Sequence, residues 1–325
     1  MPRKSTRSRR AAATGTEEDS KALLPTIDGP KIGPFKSPGF QKFSDFNLET
    51  LLDAPSSSGG GEAYIFKASF NHQTYAIKIF KFFWLEEGLF RFSRDMLDRI
   101  PSEKHLLENI DPFYAECRAY GRINEVHAEL HRGKKSKDLR EMDFLAAQCY
   151  GYHLITAEEE RDLMTKFPDM NFWRNTEEHG TLPVRAIVKQ YIPPPSLDPK
   201  MRSVKRMLRD LKTLHNKGVY PIDIREDNYR HGMLIDFGSA LTTPSVVLEV
   251  VPADTAALQR GLGLGAFDKM FADAAIKTQV RAARSGRIWA RTRAGRNKYP
   301  ETDLVKLNDR VGKRAGVIVV EKGWA

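Results

Sequence analysis

Cysteine is scarce, with Cys117 and Cys149 the only two in the chain. Two thiols are too few for a disulfide-stapled scaffold or a four-cysteine zinc site. Long apolar runs are missing as well. No stretch of about 18 or more apolar residues occurs, which excludes a membrane-spanning helix. Mean hydropathy is −0.49, in keeping with that. The first residues, Met1-Pro-Arg-Lys-Ser5, lack the apolar core of a secretory leader. Acidic side chains are absent from two stretches, residues 1–10 and 274–300. The expectation is a soluble protein of a reducing, intracellular compartment with no membrane contact.

What is present is enough for a folded body. Apolar residues make up 41% of the 325 and aromatic residues 10%, which supports a sizeable core in one large domain or two small ones. Net charge is +10, from 52 Lys and Arg against 42 Asp and Glu. Its location matters more than its size. Residues 1–10 carry Arg3, Lys4, Arg7, Arg9 and Arg10. Residues 274–300 carry Lys277, Arg281, Arg284, Arg287, Arg291, Arg293, Arg296 and Lys298. These thirteen charges exceed the total, so the rest of the chain sums to −3. Basicity at the ends suits an address tag or a nucleic-acid tail better than a nucleic-acid-binding core. The N-terminal cluster resembles a nuclear-import signal. Segment 277–298, with Trp289 its one aromatic, is a candidate for nonspecific, salt-sensitive contact with nucleic acid.

Residues 1–40 mix Arg, Ser, Thr, Ala, Gly and Pro without a hydrophobic period and read as a disordered arm. Three short strands are expected next, at Phe46–Leu52, Ala63–Phe70 and Tyr75–Phe80, with small or polar residues between them. Asp111-Pro112 sets an N-cap and a first-turn proline for a helix over Pro112–His131. Strands follow at Phe144–Thr156 and Val184–Ile192, the second stopped by Pro193–Pro195. Met201, Val204, Leu208, Leu211 and Leu214 recur at spacings of three and four, so Lys200–Lys217 reads as a helix closed by Gly218. A strand pair at Val219–Ile224 and Met233–Phe237 completes the pattern, and no internal repeat is visible. His127 and His131 lie one helical turn apart, as zinc-binding pairs do, but no third ligand is at hand and a solvated helix face is expected.

The chemistry concentrates between Leu214 and Gly238. Asp223 and Asn228 are five positions apart, and Asp236 follows eight residues later in Asp236-Phe-Gly238. A carboxylate, a carboxamide and a second carboxylate at this spacing suit phosphoryl transfer. One Asp orients a hydroxyl, while the Asn and the other Asp hold Mg²⁺ against nucleotide phosphates.

Here the sequence resembles the protein-kinase-like fold, which implies an α+β, two-lobed architecture with a β-rich N-lobe and a shortened helical C-lobe. The resemblance implies ATP and Mg²⁺ as cofactors. It assigns Asp223 to the catalytic position, with Arg225 offsetting charge where the family has a lysine, and Asn228 with Asp236 to the metal. Tyr75-Ala-Ile-Lys78 matches the strand-lysine motif, and Glu116 of the following helix is the implied partner of Lys78. Gly59, Gly60 and Gly61 stand where backbone amides would cover phosphates. Gln190 and Ile192 match hinge positions that meet adenine, and Lys189 falls near the gatekeeper position. Pro221-Ile222 replaces the usual His-Arg, and the 87 residues after Gly238 contain no Ala-Pro-Glu. The implied domains are a basic arm (1–42), a kinase-like domain (43–272, with lobes at about 43–192 and 196–272) and a basic tail (273–325).

A narrower resemblance rests on Pro112-Phe-Tyr-Ala-Glu-Cys-Arg-Ala-Tyr-Gly-Arg122, Cys149-Tyr-Gly-Tyr152, Pro183-Val-Arg-Ala-Ile-Val-Lys189 and Met207-Leu-Arg-Asp-Leu-Lys-Thr-Leu-His215, together with Asp223-Ile-Arg-Glu-Asp-Asn228. These look like the fungal kinetochore Sim-four complex subunit family over residues 43–243. That resemblance implies a nuclear, centromere-associated scaffold with other protein subunits as partners, either a pseudokinase or one retaining Mg-ATP binding. Two alternatives stand beside it: an active phosphotransferase acting on a protein Ser/Thr or a small-molecule hydroxyl, and a nucleic-acid binder working through the basic tail.

Overall fold

Large apolar residues on both sides of the strands build a sheet whose two faces are covered. The computed structural model describes residues 29–53, 61–89, 92–133, 143–175, 179–193 and 201–282. Strands β1 (Asn47–Asp53), β2 (Ala63–Phe70), β3 (Gln73–Phe80), β4 (Cys149–Ile155) and β5 (Val184–Gln190) form one antiparallel sheet in the order β1-β2-β3-β5-β4. The β2–β3 hairpin turns on Asn71 and His72, both with positive φ, the two-residue turn whose twist matches antiparallel strands. Phe66, Ile77, Ile79, Ala186 and Val188 pack on one face, and Ala63, Phe80, Tyr152 and Ile187 on the other. β3 lies at the centre, so a side chain on it is shielded by strands on both sides.

Short helices α1 (Leu85–Leu89), α2 (Arg94–Leu97) and α3 (Glu103–Ile110) fill the interval after β3. Helix α4 (Pro112–Leu130) starts as its sequence demands, with the Phe113 amide donating to Asp111 Oδ1 at 2.8 Å and Pro112 in the first turn. Asp111 Oδ2 also accepts from Arg185 of β5 at 2.6 Å, which fixes the start of α4 to the sheet. Phe113, Cys117 and Tyr120 then pack on the sheet face that carries Ile187. Helix α5 (Ala157–Lys166) opens with a capping box between Thr156 and Glu159. Helix α6 (Met201–Asn216) follows, and then four two-residue strands: β6 (Val219–Tyr220), β7 (Tyr229–Arg230), β8 (Met233–Leu234) and β9 (Leu241–Thr242). Helices α7 (Val246–Val250) and α8 (Ala253–Asp273) close the described body.

The mixed helix-and-strand class agrees with expectation, and several details do not. The strands expected at Val219–Ile224 and Met233–Phe237 do not pair with each other. β6 pairs with β9 and β8 with β7, leaving Pro221–Asn228 as a loop and short turn. The chain is ordered well before Phe43. Ile32 and Phe35 are buried in a strap formed by residues 30–35, whose Ile32 amide donates to Cys117 O and Phe35 amide to Tyr152 O, while the Tyr152 amide donates to Gly33 O. This strap crosses α4 at Gly121 and β4 at Gly151. A Cβ at Gly121 would stand 2.4 Å from the Lys31 nitrogen, so only glycine admits the crossing. The arm expected over 1–42 therefore does not extend through 30–42, and residues 1–28 lie outside the described residues. Helix α8 was also unforeseen, because Gly261, Gly263 and Gly265 lower its intrinsic helix preference. Gly263 has a packing role. A Cβ there would stand 2.0 Å from Pro221 O, so the glycine lets α8 lie directly under the loop that carries Asp223.

Candidate functional site

Lys78 projects from the central strand, opposite Ile65 of β2 and Ile187 of β5. Its ammonium donates to Glu116 Oε2 and to Asp236 Oδ1, each at 2.8 Å. Helix α4 supplies Glu116 with no solvent exposure, and Asp236 keeps 26% of its side chain open. The interval between Lys78 and Glu116 is spanned by α1–α3 without disturbing the pair. Burial by itself would discharge Lys78. Asp236, Glu116 and Glu62 overcome that and hold the ammonium well above the usual lysine range. Burial likewise pushes the Asp236 carboxyl up, but Lys78, Lys189 and the Gly238 amide overcome this and hold it well below the usual carboxylate range.

Lys189 completes the cluster. It sits on β5, donates to Glu116 Oε1 at 2.7 Å and to Ile235 O at 2.8 Å, and is buried. Glu116 is thus shared by two lysines, and two cations face two carboxylates. Sequence spacing marked Lys189 as an unusual residue for a nucleobase pocket. The structure turns its ammonium inward, onto the helix and the carbonyl of the residue before Asp236. Glu62, the residue before β2, was not singled out. A Cβ on Gly238 would stand 3.0 Å from Glu62 Oε2 and 3.2 Å from Lys78 Nζ, so the Asp-Phe-Gly turn passes tightly beneath Glu62. Desolvation raises the Glu62 carboxyl to about 7, with Lys78 opposing and Asp236 and Glu116 adding to the rise. Glu62 still reaches solvent, so water screens part of this push. Phe237 is buried edge-on against Tyr120, whose hydroxyl donates to Ile235 O at 3.3 Å.

The loop half of the site is built differently. Asn228 is buried, and its amide nitrogen donates to Asp223 O at 2.9 Å and Asp223 Oδ2 at 3.2 Å. The Ile235 amide donates to Asn228 O at 2.9 Å, so the residue bonded to Asn228 immediately precedes Asp236. Arg225 pairs with Asp223 at 3.3 Å, both side chains being open to solvent. Asp53 at the end of β1 faces the same opening. Desolvation raises its carboxyl, with Arg225 opposing and Asp227 and Asp236 adding.

The two expected hinge residues lie apart in role. Gln190 donates its amide to Gln148 O at 2.8 Å and accepts from the Gln148 amide through Oε1 at 3.2 Å. Ile192 packs with Ala147, Met233 and Ile235. Gly61 has φ 121, a conformation suited to glycine, whereas Gly59 and Gly60 lie outside the described residues, as does segment 283–298 of the basic tail. The histidine pair is not a solvated face. His127 Nε2 accepts from the Leu145 amide at 2.9 Å, His131 Nε2 bonds Asp143 O at 2.9 Å, and both rings pack on Phe144. Burial, with His131 alongside, lowers the His127 pKa to about 4.

Among the described residues no group of three or more His, Cys, Asp or Glu side chains converges as a metal centre, and no helix is long and apolar enough to cross a membrane. No curated protein matches the chain. A family model described as kinetochore Sim4 complex subunit FTA2 matches residues 21–241, more than half of the chain, from before the strap to the first residue of β9. The Lys78 cluster, the Asp223 loop and the strap that steadies α4 fall inside that match, and the chain belongs to the kinetochore Sim4 complex subunit FTA2 family.

Proposed function

We propose that the chain is a nuclear kinetochore Sim4 complex subunit whose body is a two-lobed, protein-kinase-like scaffold that binds partner subunits. Membership of that family carries the kinetochore reading. The kinase-like reading rests on one constellation: a central-strand lysine, a helix glutamate and the aspartate of Asp236-Phe-Gly238 meeting at 2.8 Å contacts. A complex subunit works through the surfaces it presents, and a charge cluster tying sheet, helix and loop keeps those surfaces in fixed relation.

The residues present suit Mg-ATP. Asp236 Oδ2 and the side-chain oxygen of Asn228 make no hydrogen bond among the described residues, and oxygens of this kind suit a hard divalent cation. When bound, Mg-ATP would supply a phosphoryl group polarised by the cation. Lys78 would then share its ammonium with phosphate oxygens, Glu116 would keep Lys78 oriented, and Arg225 would offset charge at the outer edge. Gly59–Gly61 would cover the phosphates, and the backbone of Gln190 and Ile192 would meet the base.

Two measurements test the proposal. Fluorescently tagged chain in a filamentous fungus is expected at centromeric foci, and diffuse cytoplasmic signal overturns the kinetochore reading. In thermal melts, Mg-ATP is expected to stabilise the wild type by about 2.7 kcal/mol at about 100 times Kd. Asp236→Asn should lose that shift. A wild type indifferent to millimolar ATP would leave the scaffold without a nucleotide. A second reading, an active phosphotransferase, is favoured by the open Asp223 carboxylate oriented by Asn228, the arrangement a general base requires.

A further inference from the structure

Helix α6 buries one face and charges the other. Val204, Met207, Leu211 and Leu214 are buried in the core, while Lys205, Arg209 and Asn216 are exposed and Lys212 half-exposed. These outer residues repeat at spacings of four, three and four, so they form one stripe along the helix. Lys205, Arg209, Lys212, Thr213 and Asn216, together with Val280 from the segment after α8, line a shallow groove of about 380 Å³. The single acid of α6, Asp210, is buried and turned to Arg206 and Arg209. Arg209 still presents 63% of its side chain, and Lys205 and Lys212 make no ion pair among the described residues.

The segment that forms the far wall of the groove is itself basic. Val280 lies between Lys277 and Arg281 and packs on the core, and the Ala282 amide donates to Asp268 Oδ1 at 2.7 Å. The chain therefore leaves its described body beside the α6 stripe. From there residues 283–298 add six Arg and Lys and no acid.

We propose that the outer face of α6 with residues 277–281 is a docking surface for the phosphate backbone of double-stranded nucleic acid, read without regard to base sequence. This surface is separate from the Lys78 cleft and does not depend on what that cleft binds. A protein partner would need aromatic or aliphatic anchors. The apolar members of the groove, Leu208 and Val280, are already packed into the core. Lys205 and Lys212 stand about 10 Å apart along the helix axis. A duplex carries a charge about every 1.7 Å of its axis, so a basic stripe finds partners in any register. A side-chain amide such as that of Asn216 commonly adds a phosphate contact.

The test uses the full chain and labelled random-sequence duplexes of about 20 base pairs, read by fluorescence anisotropy across a salt series. Wild type should bind all sequences alike, with log affinity falling linearly against log salt. Lys205→Glu with Lys212→Glu should weaken binding by about tenfold or more and reduce the salt slope by about two. The far-ultraviolet dichroism and melting of this surface variant should match wild type. A comparator reversing Arg291 and Arg293 in the tail should leave the α6 contribution intact, so that its loss and the α6 loss add. If the α6 variant binds duplex with unchanged affinity and slope, the proposal is overturned. It is equally overturned if polyglutamate, and not duplex, binds through Lys205 and Lys212, since the face would then serve an acidic protein.

Discussion

The cluster around Lys78 and the loop around Asp223 hold their charges on opposite terms. Lys78, Lys189 and Glu116 are buried, and each makes two or more charge-assisted hydrogen bonds to neighbours from different elements. Asp223 and Arg225 form one pair at 3.3 Å with 44% and 58% of their side chains in solvent. In the inner cluster each charge is desolvated and depends on its partners for compensation. In the outer pair water already solvates both groups, so their attraction is weak and their positions are adaptable. The inner half therefore sets the geometry of sheet, helix and loop. The outer half rests on that frame and contributes little to it, leaving Asp223 available for contact with other molecules.

The comparison breaks most easily at Glu116. Glu116→Ala would leave buried Lys78 bonded to Asp236 alone, with the exposed Glu62 nearby, and buried Lys189 with no ion-pair partner among the described residues. Uncompensated buried charge of this kind costs about 3–5 kcal/mol, visible as a lower urea midpoint. Adding Lys189→Met to that variant should restore part of the loss, because one surplus cation is then gone. A Glu116→Ala loss below about 1 kcal/mol would place the inner pairs in the class of surface ion pairs and remove the distinction.

Much of the inner cluster was legible in sequence because each member belongs to a locally coded element. Tyr75-Ala-Ile-Lys78 is a strand by composition, Asp111-Pro112 fixes the start of the helix that carries Glu116, and Asp236-Phe-Gly238 is a short contiguous motif. Lys189 was placed on the correct strand, but its bond to Glu116 depends on a tertiary approach that spacing does not encode. The strap of residues 30–35 was missed for a related reason. It has no period of its own and is held by backbone bonds to Cys117 and Tyr152, at crossings that Gly121 and Gly151 permit. Helix α5 was readable, since Thr156 and Glu159 make a capping box at the expected spacing. The strand pattern just before it obscured that signal.

The far end of α4 sharpens the contrast. Glu116 is buried with counter-charges, whereas His127 is buried without one, and its ring accepts from the Leu145 amide only when neutral. Its folded pKa of about 4 lies below the ordinary histidine value of 6.5. The neutral ring's contribution is fully present above pH 6.5 and is lost as pH falls through the window toward about 4, because the unfolded chain takes the proton first. His215, also lowered to about 4 by burial, acts in the same window and the same direction. Each is expected to remove on the order of 3 kcal/mol at acid pH. Chemical denaturation at a series of pH values between about 7 and 4 measures the slope. His127→Gln should flatten it. A stability that does not fall below pH 6.5 would mean that the ring is not held neutral by its surroundings.

The smallest effect is expected in the outer half, and its size separates frame from chemistry. Arg225→Ala removes an exposed ion pair and should shift stability by no more than about 0.5 kcal/mol. Asp223→Ala removes the 3.2 Å bond from Asn228, yet the 2.9 Å bond to the Asp223 carbonyl survives the substitution. Its thermal midpoint should therefore stay within a few degrees of wild type, a loss of about 1 kcal/mol at most. That near-neutral background makes the same variant a clean probe of reactivity. Mg-dependent ATP turnover present in wild type and absent in Asp223→Ala would assign the loop to catalysis and favour the phosphotransferase reading. Equal turnover at background level in both leaves the loop to contacts with partner subunits. A destabilisation above about 2 kcal/mol would show that Asp223 belongs to the frame, and the division between buried and open charges would have to be redrawn around Asn228.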